Sequence, residues 1–196
     1  VTVRENQVCS ALSELKSNRS KCIVTMVNST GDYKKWEKFC GKGRILPAFP
    51  GAGGSIKDDI LDASLTSRLI QPTTFGEFSC KNSKRLKMLS NIFKKSKIPY
   101  QQVTNMHIWQ LCHLAMVVPL ADAYYEAVDI KNVGNENPLM LKTAKRLRRN
   151  FGLLKKHFGK LSPYKMNLFL LLPPFFSARI LKFIFNSDFG DKFMYR

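Results

Sequence analysis

The chain has 196 residues, with 32 Lys+Arg against 14 Asp+Glu and a formal net charge of +18. That length suits one large domain or two small ones, and it supports a core without metal or disulfide staples. A hydrophobic content of 44% with 23% charged residues excludes a wholly disordered basic tail, while the charge calls for an anionic partner such as nucleic acid, a membrane surface or a phosphorylated ligand.

The first part alternates short strands with helices. Val1-Thr2-Val3 is β-branched and predicts a strand. Residues 5–18 carry Val8, Leu12 and Leu15 on one helical face. Cys22 to Val27 is a nearly continuous apolar run of strand length, as expected for a buried parallel strand. A turn at Asn28-Ser29-Thr30-Gly31-Asp32 leads to a helix over 33–39, stopped by Gly41 and Gly43, and Ile45 to Phe49 reads as a further strand. This β-α-β-α-β order is the doubly wound pattern. No strand is followed by G-x-G-x-x-G opening a helix, so the reading predicts the second half of such a sheet, from a longer polypeptide.

Residues 50–78 are loop and strand in composition. Pro50-Gly51-Ala52-Gly53-Gly54 could offer backbone N–H groups to an anion, or serve only as a connection. Asp58, Asp59 and Asp62 lack a calcium-loop pattern or a His partner and predict a solvated turn. Helical spacing then takes over, at 84–95, at 104–128 with a kink at Pro119, at 139–158, and at 168–185 on either side of Pro173-Pro174. The expected division is an α/β part over 1–80 and an all-α part over 81–196.

Five cysteines (Cys9, Cys22, Cys40, Cys80 and Cys112) are widely spaced and form no CxxC. They predict free thiols in a reducing, cytoplasmic compartment rather than a zinc site or disulfide framework. The N-terminus shows no apolar leader region. The longest uncharged apolar stretches, 108–121 and 166–178, fall short of the roughly 20 residues of a spanning helix, and each contains proline.

The basic charge concentrates late. No Asp or Glu occurs over 137–187, and Lys142, Lys145, Arg146, Arg148 and Arg149 make the densest cluster. Such a cluster can bind nucleic acid through phosphates. It comes without a helix-turn-helix, RRM, KH or zinc-finger signature, so a solvated helix face is the preferred reading over a nucleic-acid interface.

Taken in order, the segments resemble the ketopantoate reductase (2-dehydropantoate 2-reductase) family. The resemblance is carried by Val1-Thr2-Val3-Arg4, by Ile23-Val24-Thr25-Met26-Val27-Asn28-Ser29-Thr30-Gly31, by Ala48 to Gly54, by Gln71-Pro72-Thr73-Thr74-Phe75-Gly76-Glu77, and by 104–121 with Trp109 and Pro119-Leu120. It implies the later half of a Rossmann-type domain followed by a helical domain like that of 6-phosphogluconate dehydrogenase. It also implies NADPH as cofactor, a branched 2-oxo acid as substrate, pantothenate biosynthesis as setting, and a homodimer as one assembly open to the chain.

Under that resemblance, Asn28 falls at the nicotinamide–substrate junction, where its carboxamide can donate and accept. A helix N-cap is the competing role. The family's catalytic Lys and substrate-holding Asn map onto Leu111 and Ala115, which can do neither task. His107 and His113 are then the nearest candidate proton donors, against the alternative that each is an ordinary hydrogen-bonded core histidine. The family's late acidic partner has only Asp188 and Asp191 as counterparts, in a context that does not match. Two functions stay open at this point: an NADPH-dependent reductase, or a non-catalytic binding or assembly module on the same fold.

Overall fold

The computed structural model describes residues 1–78, 82–187 and 190. Cys80, Asp188 and Asp191 lie outside the described residues. The described elements are α1 (Val8–Glu14), β1 (Ile23–Met26), α2 (Glu37–Cys40), β2 (Ile45–Phe49), β3 (Ala52–Lys57), β4 (Ile60–Leu65), β5 (Thr73–Phe75), α3 (Lys84–Lys95), β6 (Tyr100–Gln102), α4 (Met106–Glu126), α5 (Asn137–Phe158), α6 (Leu168–Leu171) and α7 (Pro174–Phe185). The chain divides into two compact units, one of 1–53 with 63–110 and one of 54–62 with 111–196. Residues 82–110, which the sequence pattern groups with the helices that follow, lie in the first unit.

The first unit is built on a four-stranded sheet in the order β1-β2-β5-β6. β1 and β2 pair in parallel, with Ile23 opposite Ile45 and Met26 opposite Ala48. β5 runs antiparallel to β2, and β6 parallel to β5, so the sheet is mixed rather than all-parallel as a doubly wound pattern alone predicts. Val1-Thr2-Val3 does not form a strand. It contributes one parallel-type bridge, in which the Val1 nitrogen donates to the Val24 carbonyl (2.7 Å) and the Met26 N–H donates to the Val1 carbonyl (2.8 Å). β6 has no apolar alternation, and it exists because β5 offers it a partner.

Two cores flank this sheet. Val8 and Leu12 of α1 pack with Ile23, Val27, Tyr33, Trp36, Cys40 and Ile45. Leu46, Ala48 and Phe75 pack with Leu86 and Phe93 of α3. The ends of α1 and α2 meet at the Arg44 side chain. Its guanidinium donates to the carbonyls of Ser20 (2.9 Å), Leu15 (3.1 Å), Lys16 (3.4 Å), Asn18 (2.6 Å) and Cys40. Helix C-termini leave such carbonyls without intrahelical partners, and a planar five-donor group can serve several at once.

The Gly51–Gly54 segment is not an anion loop. The Gly51 N–H donates to Thr73 Oγ1 (3.0 Å), and a Cβ at Gly51 would meet the Thr73 nitrogen at 2.2 Å. Gly53 and Gly54 lie inside β3, which forms a two-stranded hairpin with β4. Asp58 and Asp59, at φ 50° and 61°, make its two-residue tip, the conformation expected of a type I′ turn. After β5, Glu77 receives Arg85 in a two-pronged ion pair (Nε to Oε1 2.8 Å, Nη2 to Oε2 2.5 Å), and Ser83 also donates to it. Burial alone would raise the Glu77 carboxyl, but these bonds outweigh it and hold it below the usual carboxylate range.

In the second unit α5 and α7 pack along apolar stripes. α5 buries Leu139, Met140, Thr143, Ala144, Leu147 and Phe151, and α7 buries Ser177, Leu181 and Phe185. α4 carries Pro119 inside it. A proline has no N–H, so the Ala115 carbonyl four residues earlier loses its helical donor. The Asn150 side chain of α5 supplies one instead, Nδ2 to Ala115 O at 3.2 Å.

We expect Arg44→Met to lower the free energy of unfolding by about 2 kcal/mol, because two part-buried carbonyls, of Leu15 and Cys40, lose a charged donor together with three exposed ones. Urea unfolding of the variant checks this. Asn150→Leu should cost about 1–2 kcal/mol. Adding Pro119→Ala should return most of that loss by restoring the helical N–H, which thermal melts of the single and double variants would read out.

Candidate functional site

The site grows from the C-terminal end of β1. Met26 is the last strand residue, Val27 is buried, and Asn28 emerges exposed. Beside it the 1–7 segment turns into a short 3-10 helix over Glu5–Gln7, where the Arg4 N–H donates to Gln7 Oε1 at 3.2 Å. Between the two lies a pocket of about 610 Å³ lined by Thr2, Arg4, Glu5, Gln7, Met26 and Asn28 among others. It is a wide, solvent-open depression rather than an enclosed cavity. It brings a guanidinium, two carboxamides and a carboxylate to the strand end.

The turn after Asn28 is held rigidly. Ser29 is buried and its hydroxyl donates to Glu5 Oε1 at 2.5 Å, while the Gly31 N–H donates to Ser29 Oγ at 2.9 Å. Asp32, not Asn28, caps the following 3-10 turn at Tyr33–Lys35 by accepting from the Lys34 N–H (2.9 Å). Asn28 is therefore not the cap of that turn, and it lines the pocket. On the other side of the turn the Gln110 side chain, fully buried, donates from Nε2 to the Val27 carbonyl.

His107 lies one turn before Gln110 on α4. Its ring meets Tyr33 edge to face, with centroids 6.1 Å apart. Tyr33 is buried, and burial, then the Glu5 carboxylate, pushes its phenol up. Its hydroxyl has no hydrogen-bond partner among the described residues. Trp109 packs on Phe49 at 5.4 Å. His113 belongs to the second unit. It is buried, and burial pushes its imidazole down to about 4. Neutral at physiological pH, it is a poor source of the positive charge that a Lys replacement requires. Leu111 and Ala115 are both half-buried.

Asn28 and His107 thus fall in the same unit near the end of β1, while His113 falls in the other. Arg4, Glu5, Gln7 and Gln110 were not singled out by pattern. The only sequence signal for the first two is a charged pair directly after a β-branched triplet. Of the basic cluster on α5, Lys142 and Arg146 bind Glu126 (2.7 Å each), Arg146 also reaches Asp122 at 3.5 Å, and Arg148 donates to the Leu172 carbonyl (2.7 Å). Among the described residues no group of His, Cys, Asp and Glu could hold a metal ion, and no helix is long and apolar enough to cross a membrane. Cys9, Cys22, Cys40 and Cys112 are free thiols.

No protein-family model matches the chain, and no curated protein sequence matches it. Among solved structures it is similar to the crystal structure of 2-dehydropantoate 2-reductase from Porphyromonas gingivalis W83, with a TM-score of 0.63 at 10% identity. The match covers 91% of this chain and 60% of that one, so the chain spans about three-fifths of that neighbour's length. The likeness at this identity is one of fold: a mixed α/β architecture similar to that of a ketopantoate reductase.

His113 generates a pH dependence. Its folded pKa, about 4, lies below the unfolded value near 6.5, so the unfolded chain binds the extra proton between these limits. Its contribution is intact above about pH 6.5 and is lost as pH falls towards 4, on the order of 3 kcal/mol in all. Denaturant unfolding from pH 7 to pH 4.5 should show this slope in the parent chain and a flatter one in His113→Leu.

Proposed function

We propose that the chain is the nucleotide-contacting and helical part of an NADPH-dependent oxidoreductase of ketopantoate reductase type, acting on a small 2-oxo acid. The observation that carries the reading is the polar pocket at the C-terminal end of β1, placed where doubly wound sheets receive ligands. The fold likeness over 91% of the chain supports it. In this reading the unit of 1–53 with 63–110 is the later half of a Rossmann-type domain, and 111–196 belongs to a helical domain like that of 6-phosphogluconate dehydrogenase.

The donor set fits the nicotinamide end of the cofactor. The Asn28 and Gln7 carboxamides can donate to and accept from ribose hydroxyls or the nicotinamide amide, and Arg4 can meet a carboxylate or phosphate oxygen. When bound, NADPH supplies the hydride to the substrate carbonyl carbon. The protein's tasks are to orient the two partners and to provide a proton to the carbonyl oxygen. Leu111 has no proton to give, so His107 takes the donor role in this reading. A small 2-oxo acid is the partner implied, and a homodimer the assembly.

A second reading is favoured by one observation: the positions of the family's Lys and Asn are apolar here, at Leu111 and Ala115. On it the chain is a non-catalytic binding or assembly module that keeps the fold.

Titration of the full-length polypeptide with NADPH, followed by fluorescence, tests the first reading. Saturable binding, weakened about tenfold by Asn28→Ala (about 1.4 kcal/mol), is the expected result. Loss of NADPH absorbance with a branched 2-oxo acid would separate the enzyme from the module, and His107→Asn should slow that turnover without weakening cofactor binding. Absence of NADPH binding sinks the oxidoreductase reading.

A further inference from the structure

We infer that Gln110 is a positioning residue that orients Asn28 for a bound dinucleotide, an assignment that rests on the reading above. The β1 ladder ends at Met26, opposite Ala48. The carbonyl of Val27 is the next acceptor along the chain, and it belongs to the peptide group that leads into Asn28. Gln110 donates to it across a separation of 83 residues. The plane of that peptide is thereby fixed, and with it the direction in which the Asn28 side chain leaves the backbone.

The other side of Asn28 is fixed as well, since Ser29 is anchored on Glu5 and receives the Gly31 N–H. An exposed side chain thus stands between two buried anchors. Gln110 is costly as a mere packing residue. It is 0% exposed, and its Oε1 has no hydrogen-bond partner among the described residues. A Leu or Met would fill a similar volume and leave no buried amide oxygen unpaired. What the amide offers that they do not is the donor to Val27. A side chain that holds a ligand-binding group through the backbone is the usual supporting shell of a preorganised site.

The test uses the full-length polypeptide and NADP+ binding by calorimetry, on the parent chain, Gln110→Met, Gln110→Glu, Asn28→Ala and the Asn28→Ala/Gln110→Met pair. Gln110→Met should weaken binding by about tenfold, with the circular dichroism spectrum and melting temperature close to the parent's. In the Asn28→Ala background it should weaken binding no further, because its effect runs through Asn28. Gln110→Glu should bind weakly near about pH 8, where the carboxylate repels the Val27 carbonyl. It should recover near about pH 6, as the protonated acid regains a donor. Equal weakening in both backgrounds, or none, overturns the assignment.

Amide hydrogen exchange gives a readout that needs no cofactor. In Gln110→Met the Ser29 and Gly31 amides should exchange faster while those of β2 stay protected, and unchanged exchange at 29 and 31 overturns the assignment. If the parent chain binds no dinucleotide, the oxidoreductase reading fails, and the exchange result alone decides whether Gln110 positions the Asn28 turn.

Discussion

The guanidinium of Arg44 is the point on which the first unit hangs. Its contacts are carbonyl oxygens from the tail of α1, from the entry to β1 and from the end of α2. They lie where helix ends and a tight connection leave carbonyls short of donors, and Leu15 O accepts the Asn18 N–H as well. A lysine could reach only some of them, since its single ammonium has no fixed fork. The starts of β1 and β2 are set by this hub at one end of the sheet. The parallel register from Ile23–Ile45 to Met26–Ala48 then carries that placement to the other end, where Asn28 and the pocket lie.

The same use of arginine changes the meaning of the net charge. Arg44 and Arg148 donate to backbone carbonyls, Arg85 closes on Glu77, and Arg146 with Lys142 closes on Glu126. These five of the 32 cations are donors for the molecule's own acceptors. A chain with few acids and many helix ends has a structural need for cations that composition cannot distinguish from a binding need.

How far the sequence reveals the fold depends on whether an element carries its own signals. α3 is legible to the residue because Ser83 caps it and Leu86, Leu89 and Phe93 repeat at helical spacing. β2 is legible because five apolar residues sit between glycine and proline stops. β6 is not, since Tyr100-Gln101-Gln102 has no alternation and its strand character comes from β5. The β3–β4 hairpin hides behind glycines that read as loop. At the site, Asn28 is found from its place after an apolar strand. Arg4, Glu5 and Gln7 join it only once the 1–7 segment folds against the strand end. Gln110 is invisible because its neighbours Ile108, Trp109, Leu111 and Cys112 make the surrounding helix read as uniformly apolar.

Pro119 and Asn150 show a different kind of dependence. The proline empties the Ala115 carbonyl of its helical donor, and the asparagine refills it from another helix. Neither residue makes sense alone. A relative with alanine at 119 has no use for an amide at 150, and one that loses the amide is under pressure to lose the proline. The two positions, 31 residues apart, should therefore be gained and lost together over evolutionary time.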